Sequence, residues 1–227
     1  MIYKSMYWLV MSSIGKKIVM SISGVFLVLF LLFHMSMNLV LIFSTVTYDK
    51  ICGILGANWY AVIATVILAI GVVVHVVCGV LLTLQNMKAR GVDEYKVSCK
   101  TKVEWAAKNM LILGLVIFFG LIIHLQNFWY KMQFADLFQL GSLDDKSGSQ
   151  LVINLFSNPI YSFIYILWLV ALWFHLTHGI WSSLQTVGLN NKIWFCRLKL
   201  ISNIIATVIM IGFAVVPIYF TFYAFIK

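Results

Sequence analysis

The amino-acid sequence predicts an all-α fold, an integral membrane bundle of five transmembrane helices with the N-terminus in the cytoplasm. The 227-residue chain is 63% hydrophobic and only 10% charged, whereas a soluble domain is roughly half apolar and about a quarter charged. Five stretches without Asp, Glu, Lys or Arg are each longer than the ~20 residues that cross a bilayer as a helix. This composition argues against a soluble globular enzyme and against a disordered chain.

The charge-free stretches define the predicted helices in order. They cover 18–48, 51–87, 109–130, 147–191 and 200–226. Pro159 divides the fourth stretch and suits the first turn of a helix, so the segment 147–158, rich in Ser, Asn and Gln, is predicted to be a loop. Gly188 is a suitable end for the fourth helix. We predict one membrane domain over residues 1–227, with helices at 16–44, 59–86, 104–130, 159–185 and 200–226.

Other interpretations of these apolar runs are less favourable. Runs such as GVFLVLFLLF do not alternate between apolar and polar residues, which argues against the strands of a membrane β-barrel. Residues 1–13 do not have the long apolar core of a cleaved signal peptide, so the segment 3–12 is expected to lie along the membrane interface or to pack on the bundle. The four cysteines form no CxxC motif, so neither a disulfide framework nor a thiolate metal site is expected.

The basic residues predict the orientation of the chain. With a cytoplasmic N-terminus, twelve of them lie inside and four outside, which is a strong positive-inside signal. The net charge of +9 therefore indicates topology rather than nucleic-acid binding. The twelve inner residues are Lys4, Lys16, Lys17, Lys88, Arg90, Lys96, Lys100, Lys102, Lys108, Lys192, Arg197 and Lys199.

All five histidines lie inside the predicted helices. Ionisable residues inside a bilayer are rare and usually functional. A single intramembrane histidine, however, is as often explained by a hydrogen bond between helices as by a functional site. Because neighbouring helices run in opposite directions, the rise of about 1.5 Å per residue sorts the histidines into two layers roughly 10–15 Å apart. The outer layer pairs His34 with His124. The inner layer pairs His75 with His175 or His178, which lie three residues apart on nearly the same face.

Two imidazoles that face each other in an apolar bundle are typical of bis-histidine haem. Zinc is less favourable, because two histidines in a layer leave a tetrahedral site short of ligands. Small residues four positions from the histidines leave room for a flat ring, although they also serve close helix packing. These small residues are Gly71, Gly79, Gly120, Ala171 and Gly179.

Three segments carry a resemblance to a known family. They are SSIGKKIVMSISG (12–24); FHMSMNL (33–39), a His followed four residues later by Asn; and FHLTHGIWSSLQTVG (174–188), a His followed by Gly at +4, an aromatic residue at +6 and Gly at +13. Together with five helices and the order of the histidines, they resemble the dihaem cytochrome b subunit of the succinate dehydrogenase and fumarate reductase family. The resemblance covers essentially the whole chain, and the order of the motifs is more specific than any one of them.

The resemblance implies a ligand set and a function. The third motif gives the inner ligand role to His175 rather than His178, and the chain would hold two haem b groups. Its function would be that of a membrane anchor and electron-transfer subunit that uses a quinone, menaquinone in the similar five-helix types. Its partners would be a flavoprotein with covalent FAD and an iron–sulfur protein, which carry the succinate or fumarate chemistry. The basic loop 88–108 is a candidate docking surface, although its charge also follows from topology alone.

Two positions depart from the pattern of this family. Some relatives carry a Glu two residues before the ligand of the fourth helix, where this chain has Trp173, and an acidic residue in the first outer loop, where it has only Asp49. A Glu-gated proton path is therefore not expected, and no quinone-site residue is assigned. The outer segment 131–158 is a candidate to shape that site. Its acidic residues are Asp136, Asp144 and Asp145.

Three alternatives stand beside this interpretation. One is the cytochrome b anchor of another respiratory complex, such as a hydrogenase or a formate dehydrogenase. Another is a proton transporter that uses the histidines as a relay, which is disfavoured because the charge-free stretches hold no Asp or Glu. The third is a haem-free structural anchor, against which the five intramembrane histidines argue.

Overall fold

The computed structural model describes residues 12–90, 105–140, 147–189, 191 and 193–226. In these ranges the regular secondary structure is entirely helical. The elements are α1 (Ser13–Phe43), α2 (Thr45–Ile54), α3 (Trp59–Arg90), α4 (Trp105–Lys108), α5 (Met110–His124), a π-helical segment (Leu125–Phe134), α6 (Ala135–Leu137), α7 (Gly148–Phe156), α8 (Pro159–Thr186) and α9 (Trp194–Ile226).

Five helical stretches are long and apolar enough to cross a membrane, which confirms the predicted all-helical, five-span fold. Four of them are the long helices α1, α3, α8 and α9, and the third span runs continuously from α5 through the π-helical segment into α6. Most large apolar side chains of α3 are exposed on the isolated chain. This is the arrangement expected where lipid rather than protein covers a helix.

Capping residues explain where the long helices begin. Ser12 accepts a hydrogen bond from the amide of Gly15 at 2.9 Å, so α1 starts three residues before the predicted position. Asn158 caps α8 directly before Pro159, and α8 begins where it was predicted. Asn191 accepts a hydrogen bond from the amide of Trp194 at 2.8 Å. The fifth span, α9, therefore starts at Trp194 and carries charged residues in its first turns. The prediction placed its start later, at residue 200, because it considered only stretches without charged residues.

The prediction of a loop over 147–158 is wrong, because Gly148–Phe156 forms the helix α7. Ser147 caps this helix, and its apolar side chains Leu151, Val152 and Phe156 are buried. The high content of Ser, Asn and Gln concealed a short amphipathic pattern that packs onto the end of the bundle. Gly188, with a φ of 95°, follows the end of α8 as predicted.

A second short helix that the sequence did not predict, α2, packs against α7. The carboxylate of Asp49 in α2 accepts two hydrogen bonds from Ser149, one from its amide at 2.7 Å and one from its hydroxyl at 2.8 Å. Asp49 thus stabilises the first turn of α7. The only acidic residue between the first two spans is therefore already engaged by the protein.

Helix α1 is central to the packing of the bundle. It contacts α3, α8 and α9, whereas α5 packs mainly against α8. One buried cluster, at the end where α2 and α7 lie, includes Leu41, Phe156 and Phe220. A second buried cluster farther along α8 and α9 includes Leu176 and Ile209. Because α1 touches three other spans, it can place side chains beside both layers of histidines.

Several predictions concern residues outside the described ranges. They are the interfacial segment 3–12 except for Ser12, most of the loop 88–108, Cys99, and the outer residues Asp144 and Asp145.

Candidate functional site

The outer pair of histidines is in contact across the bundle. The rings of His34 on α1 and His124 at the end of α5 have their centroids 5.8 Å apart, with an angle of 85° between the ring planes. Both side chains are partly buried by protein. These are the two rings that the directions and depths of the helices predicted to meet.

Aromatic side chains enclose the outer pair. Phe30 stacks on His34 at 5.4 Å, with an angle of 12° between their planes, and Phe213 of α9 lies 5.6 Å from the same ring. Trp168 and Tyr165 of α8 lie 5.7 and 6.2 Å from the ring of His124. The outer pair therefore sits in an environment of rings, with no Asp or Glu of the described residues in contact with it.

The inner pair is built in the same way by α3 and α8. The ring centroids of His75 and His175 are 6.2 Å apart, with an angle of 67° between the planes. His178, the competing candidate, packs its ring against Trp181 at 5.1 Å. Of the two histidines on α8, His175 is thus the one that faces His75. This is the residue that the resemblance also selected.

Each pair contains one ring that is held by a polar partner on α1 and one that is not. The hydroxyl of Ser23 lies 3.2 Å from Nδ1 of His75, and the amide nitrogen of Asn38 lies 3.5 Å from Nε2 of His34. In contrast, Nδ1 of His124 and Nδ1 of His175 are buried without a hydrogen-bond partner. A buried, unpaired polar atom is costly. In each pair, then, one imidazole has an Nδ1 atom without a hydrogen-bond partner among the described residues.

The separation of the two layers follows from α1. Ser23 contacts the inner histidine His75, and His34 belongs to the outer pair. Positions 23 and 34 are eleven residues apart, which corresponds to about 16 Å along a helix that rises about 1.5 Å per residue. The two pairs are therefore separate sites on one bundle rather than one cluster of four rings.

The donor set fits an iron held by two axial imidazoles. A metal–imidazole bond is about 2 Å long, and a ring nitrogen lies about 1 Å from its centroid, so two rings that share one metal have centroids roughly 6 Å apart. The observed distances are 5.8 and 6.2 Å. The described residues hold no group of three or more His, Cys, Asp or Glu that could bind a metal. Two ligands alone suit a metal whose remaining ligands come from a macrocycle.

The glycines beside the histidines are used mostly for close packing. A Cβ at Gly71 would lie 2.8 Å from the ring of Phe26, and one at Gly79 would lie 3.3 Å from Met20. At Gly120 the indole of Trp168 occupies the place of a side chain, and its Nε1 donates to the carbonyl of Ile117 at 3.1 Å. A Cβ at Gly179 would meet nothing within 4 Å. Gly179 alone of these four glycines borders open space.

Sequence reasoning missed the residues that support the histidines. Ser23 and Trp168 lie on helices next to those that carry the histidines they contact. The local sequence does not distinguish Ser23 from Ser21, two residues earlier. The π-helical segment that directly follows His124 was also missed, because such segments are rare and are not expected from a run of apolar residues. Trp173 donates its Nε1 hydrogen to Thr207 at 3.0 Å.

Fold and site together define a class, that of multi-pass helical membrane proteins with two separate pairs of facing imidazoles in the bundle. Comparison with protein-family models, with curated proteins and with solved structures gave no match to this chain.

Proposed function

We propose that the chain is the membrane anchor and electron-transfer subunit of a succinate dehydrogenase/fumarate reductase complex. In this function it links a quinone, menaquinone by resemblance, to an iron–sulfur subunit through two bis-histidine b haems. The observation that carries the proposal is the presence of two pairs of facing imidazoles, 5.8 and 6.2 Å between centroids, on the described spans. The motifs at 33–39 and 174–188 support the choice of this family.

The roles of the histidines follow from their positions. His34 and His124 would hold the outer haem, and His75 and His175 the inner one. When bound, haem supplies an iron that cycles between two oxidation states. His178 lies one turn from His175 against Trp181, where it can support the edge of the inner site.

The protein environment supports these roles in two ways. Phe30 and Phe213 surround His34 with apolar surface, which excludes water from the site and keeps its dielectric constant low. Ser23 and Asn38 on α1 contact one ring of each pair. Ser23 can accept a hydrogen bond from the ring nitrogen that does not bind the metal, and such a contact orients a ligating imidazole. The amide nitrogen of Asn38 can only donate; its closer bond is to the carbonyl of His34 at 2.8 Å, and it must turn away from Nε2 of His34 if that nitrogen binds iron.

The catalytic work on succinate or fumarate belongs to partner subunits in this proposal. The described part of the chain is a set of membrane helices with short connecting helices, and five of its stretches are suited to a bilayer. A flavoprotein with FAD and an iron–sulfur protein would dock on the cytoplasmic side, where the basic loop 88–108 is the candidate surface. The complex as a whole would then be the enzyme, in the inner membrane of a bacterium.

The proposal is tested by purifying the complex with its partners and recording reduced-minus-oxidised absorption spectra. We expect two b haems for each copy of the chain, covalent flavin in the preparation, and reduction of haem on addition of succinate. Haem with partners that oxidise hydrogen or formate would instead assign the chain to another respiratory complex. A preparation without a Soret band would contradict the haem proposal and favour a histidine relay.

The proposed orientation makes a separate prediction for cysteine labelling. In a Cys99→Ser background, a membrane-impermeant maleimide is expected to label the exposed Cys196 in inverted vesicles and not in right-side-out vesicles. Burial raises the pKa of the Cys52 thiol at the other end of the bundle to about 11. Because the thiolate is the reactive form, Cys52 should label slowly near neutral pH and faster as the pH approaches that value.

Mass spectrometry of the two vesicle preparations measures both sites. Rapid labelling of Cys196 in right-side-out vesicles would reverse the orientation. Denatured protein, in which both thiols are accessible, is the control for reagent activity.

A further inference from the structure

We propose that Ser23 holds His75 in the tautomer that carries its proton on Nδ1, so that Nε2 keeps a free lone pair. The tautomer itself does not depend on the proposed function, whereas its use in binding iron rests on it. Ser23 would then be a positioning residue for the inner site.

The contacts of Ser23 carry this inference. Its side chain, 8% exposed, lies in the interior of α1 beside the ring of His75 on α3. The hydroxyl oxygen is 3.0 Å from the carbonyl oxygen of Met20 and 3.2 Å from Nδ1 of His75. At the adjacent Gly24, even a Cβ would lie 3.4 Å from Cε1 of His75. The ring is therefore close to α1 at two successive residues.

Counting protons assigns the direction of these hydrogen bonds. A serine hydroxyl has one hydrogen to donate, and a carbonyl oxygen can only accept. A hydroxyl in a helix commonly donates to a carbonyl three or four residues earlier, so the hydrogen of Ser23 goes to Met20. The contact with His75 is then satisfied only if Nδ1 of the ring is the donor.

This assignment leaves Nε2 of His75 as an acceptor. A neutral imidazole carries one hydrogen, and when it is on Nδ1 the lone pair for a metal is on Nε2. In metal sites the ring nitrogen that does not bind the metal is nearly always a hydrogen-bond donor, and this second contact orients the ligand. No described residue forms the corresponding hydrogen bond with His175, whose Nδ1 is buried without a hydrogen-bond partner. Ser23 therefore distinguishes the two rings of the inner pair.

The tautomer can be measured in the full-length chain prepared without haem. In lipid bilayers, solid-state nuclear magnetic resonance of chain labelled with ¹⁵N-histidine distinguishes protonated from unprotonated ring nitrogens, and the His75→Gln variant identifies the signals of His75. We expect wild type to show Nδ1 protonated and Nε2 unprotonated. In Ser23→Ala, the fraction of His75 protonated on Nε2 should rise several-fold, because the hydroxyl acceptor of Nδ1 is gone and only the backbone of Met20 remains as a hydrogen-bond partner of the ring.

Two matched variants separate this effect from a general loss of packing. Ser23→Thr keeps a hydroxyl that can bond to an earlier carbonyl of the helix, and we expect it to preserve the wild-type tautomer. Ser21 is also buried in α1 but donates to the carbonyl of Ser183 at 2.6 Å, so Ser21→Ala removes a buried hydroxyl without touching His75. We expect Ser21→Ala to leave the ring signals of His75 unchanged.

Haem-loaded membranes give the second readout. A supporting residue of this kind typically changes metal affinity 10- to 100-fold, so Ser23→Ala should weaken haem retention at the inner site by about that factor and leave the outer haem unchanged. A wild-type His75 protonated on Nε2, or a Ser23→Ala variant with unchanged signals, would overturn the inference whether or not haem binds. A wild-type chain that binds no haem would overturn the proposed function, while the resonance result would still decide the tautomer.

Discussion

We expect replacement of either outer histidine to remove one haem and leave the other in place. The His34→Gln and His124→Gln variants should lose only the outer haem, because their two rings form a pair of their own, 5.8 Å between centroids. The layers are about 16 Å apart along α1, from the helical rise of about 1.5 Å per residue. Loss of one ligand therefore does not reach the other pair directly.

For replacement of an inner histidine we expect the opposite result. His75→Gln and His175→Gln are expected to lose the inner haem and to keep the outer one, since these two rings face each other at 6.2 Å. Haem content should fall to about half of wild type, and redox titration of the absorption spectrum should show which of two steps has disappeared.

His178→Gln is the matched control for the inner pair. This variant changes a histidine on the same helix, one turn from His175, whose ring packs on Trp181 rather than opposite His75. It should keep both haems. Loss of both haems in every variant would leave the pairing unsupported, and loss of the inner haem in His178→Gln but not in His175→Gln would exchange the roles of the two residues.

The pairing of the histidines could be predicted because it depends on only a few features of the sequence. Five charge-free stretches set the number of helices, alternate directions set the depth of each histidine, and a constant rise sets the layers. None of these steps needs the identity of the neighbouring side chains. His34 and His124 are 90 positions apart in the sequence, yet their contact follows from topology alone.

Features that depend on contacts between helices could not be predicted in this way. Asp49 engages Ser149 one hundred positions later, and α7 is a helix partly because its apolar residues have a cluster to join. Ser23 reaches His75 only through the packing of α1 on α3. The sequence contains these residues, but which of two similar serines meets the ring is decided by the rotation of one helix against another.

The small residues beside the histidines illustrate the same limit. A glycine that allows close helix packing and a glycine that leaves room for a flat ring look the same in a sequence. Gly71 and Gly120 accommodate Phe26 and Trp168, which is helix packing. For a flat ring to lie beside these positions, those side chains must turn away. Gly179 differs, since its Cβ position meets nothing within 4 Å and it lies four residues after His175, on the same face of α8.

Gly179→Leu should therefore abolish the inner haem while leaving the fold intact. The structure offers open space for the Cβ of a larger residue, and leucine is the better helix former by up to about 1 kcal/mol, so we expect no loss of thermal stability. A leucine side chain on the face of His175 would occupy the place of a flat ring next to this ligand. The measurement is haem content with the melting temperature of the purified protein.

Gly114→Leu is the control for the effect of placing a leucine at an unobstructed glycine of a span. A Cβ at Gly114 in α5 also meets nothing within 4 Å, but no histidine lies four residues away on its helix. This variant should keep both haems. If Gly179→Leu kept the inner haem as well, the open space beside His175 would be only lipid-facing surface, and the glycine of the 174–188 motif would have to serve helix packing or another partner. If it lost the inner haem at unchanged stability, the gap beside His175 would be the place of the ring.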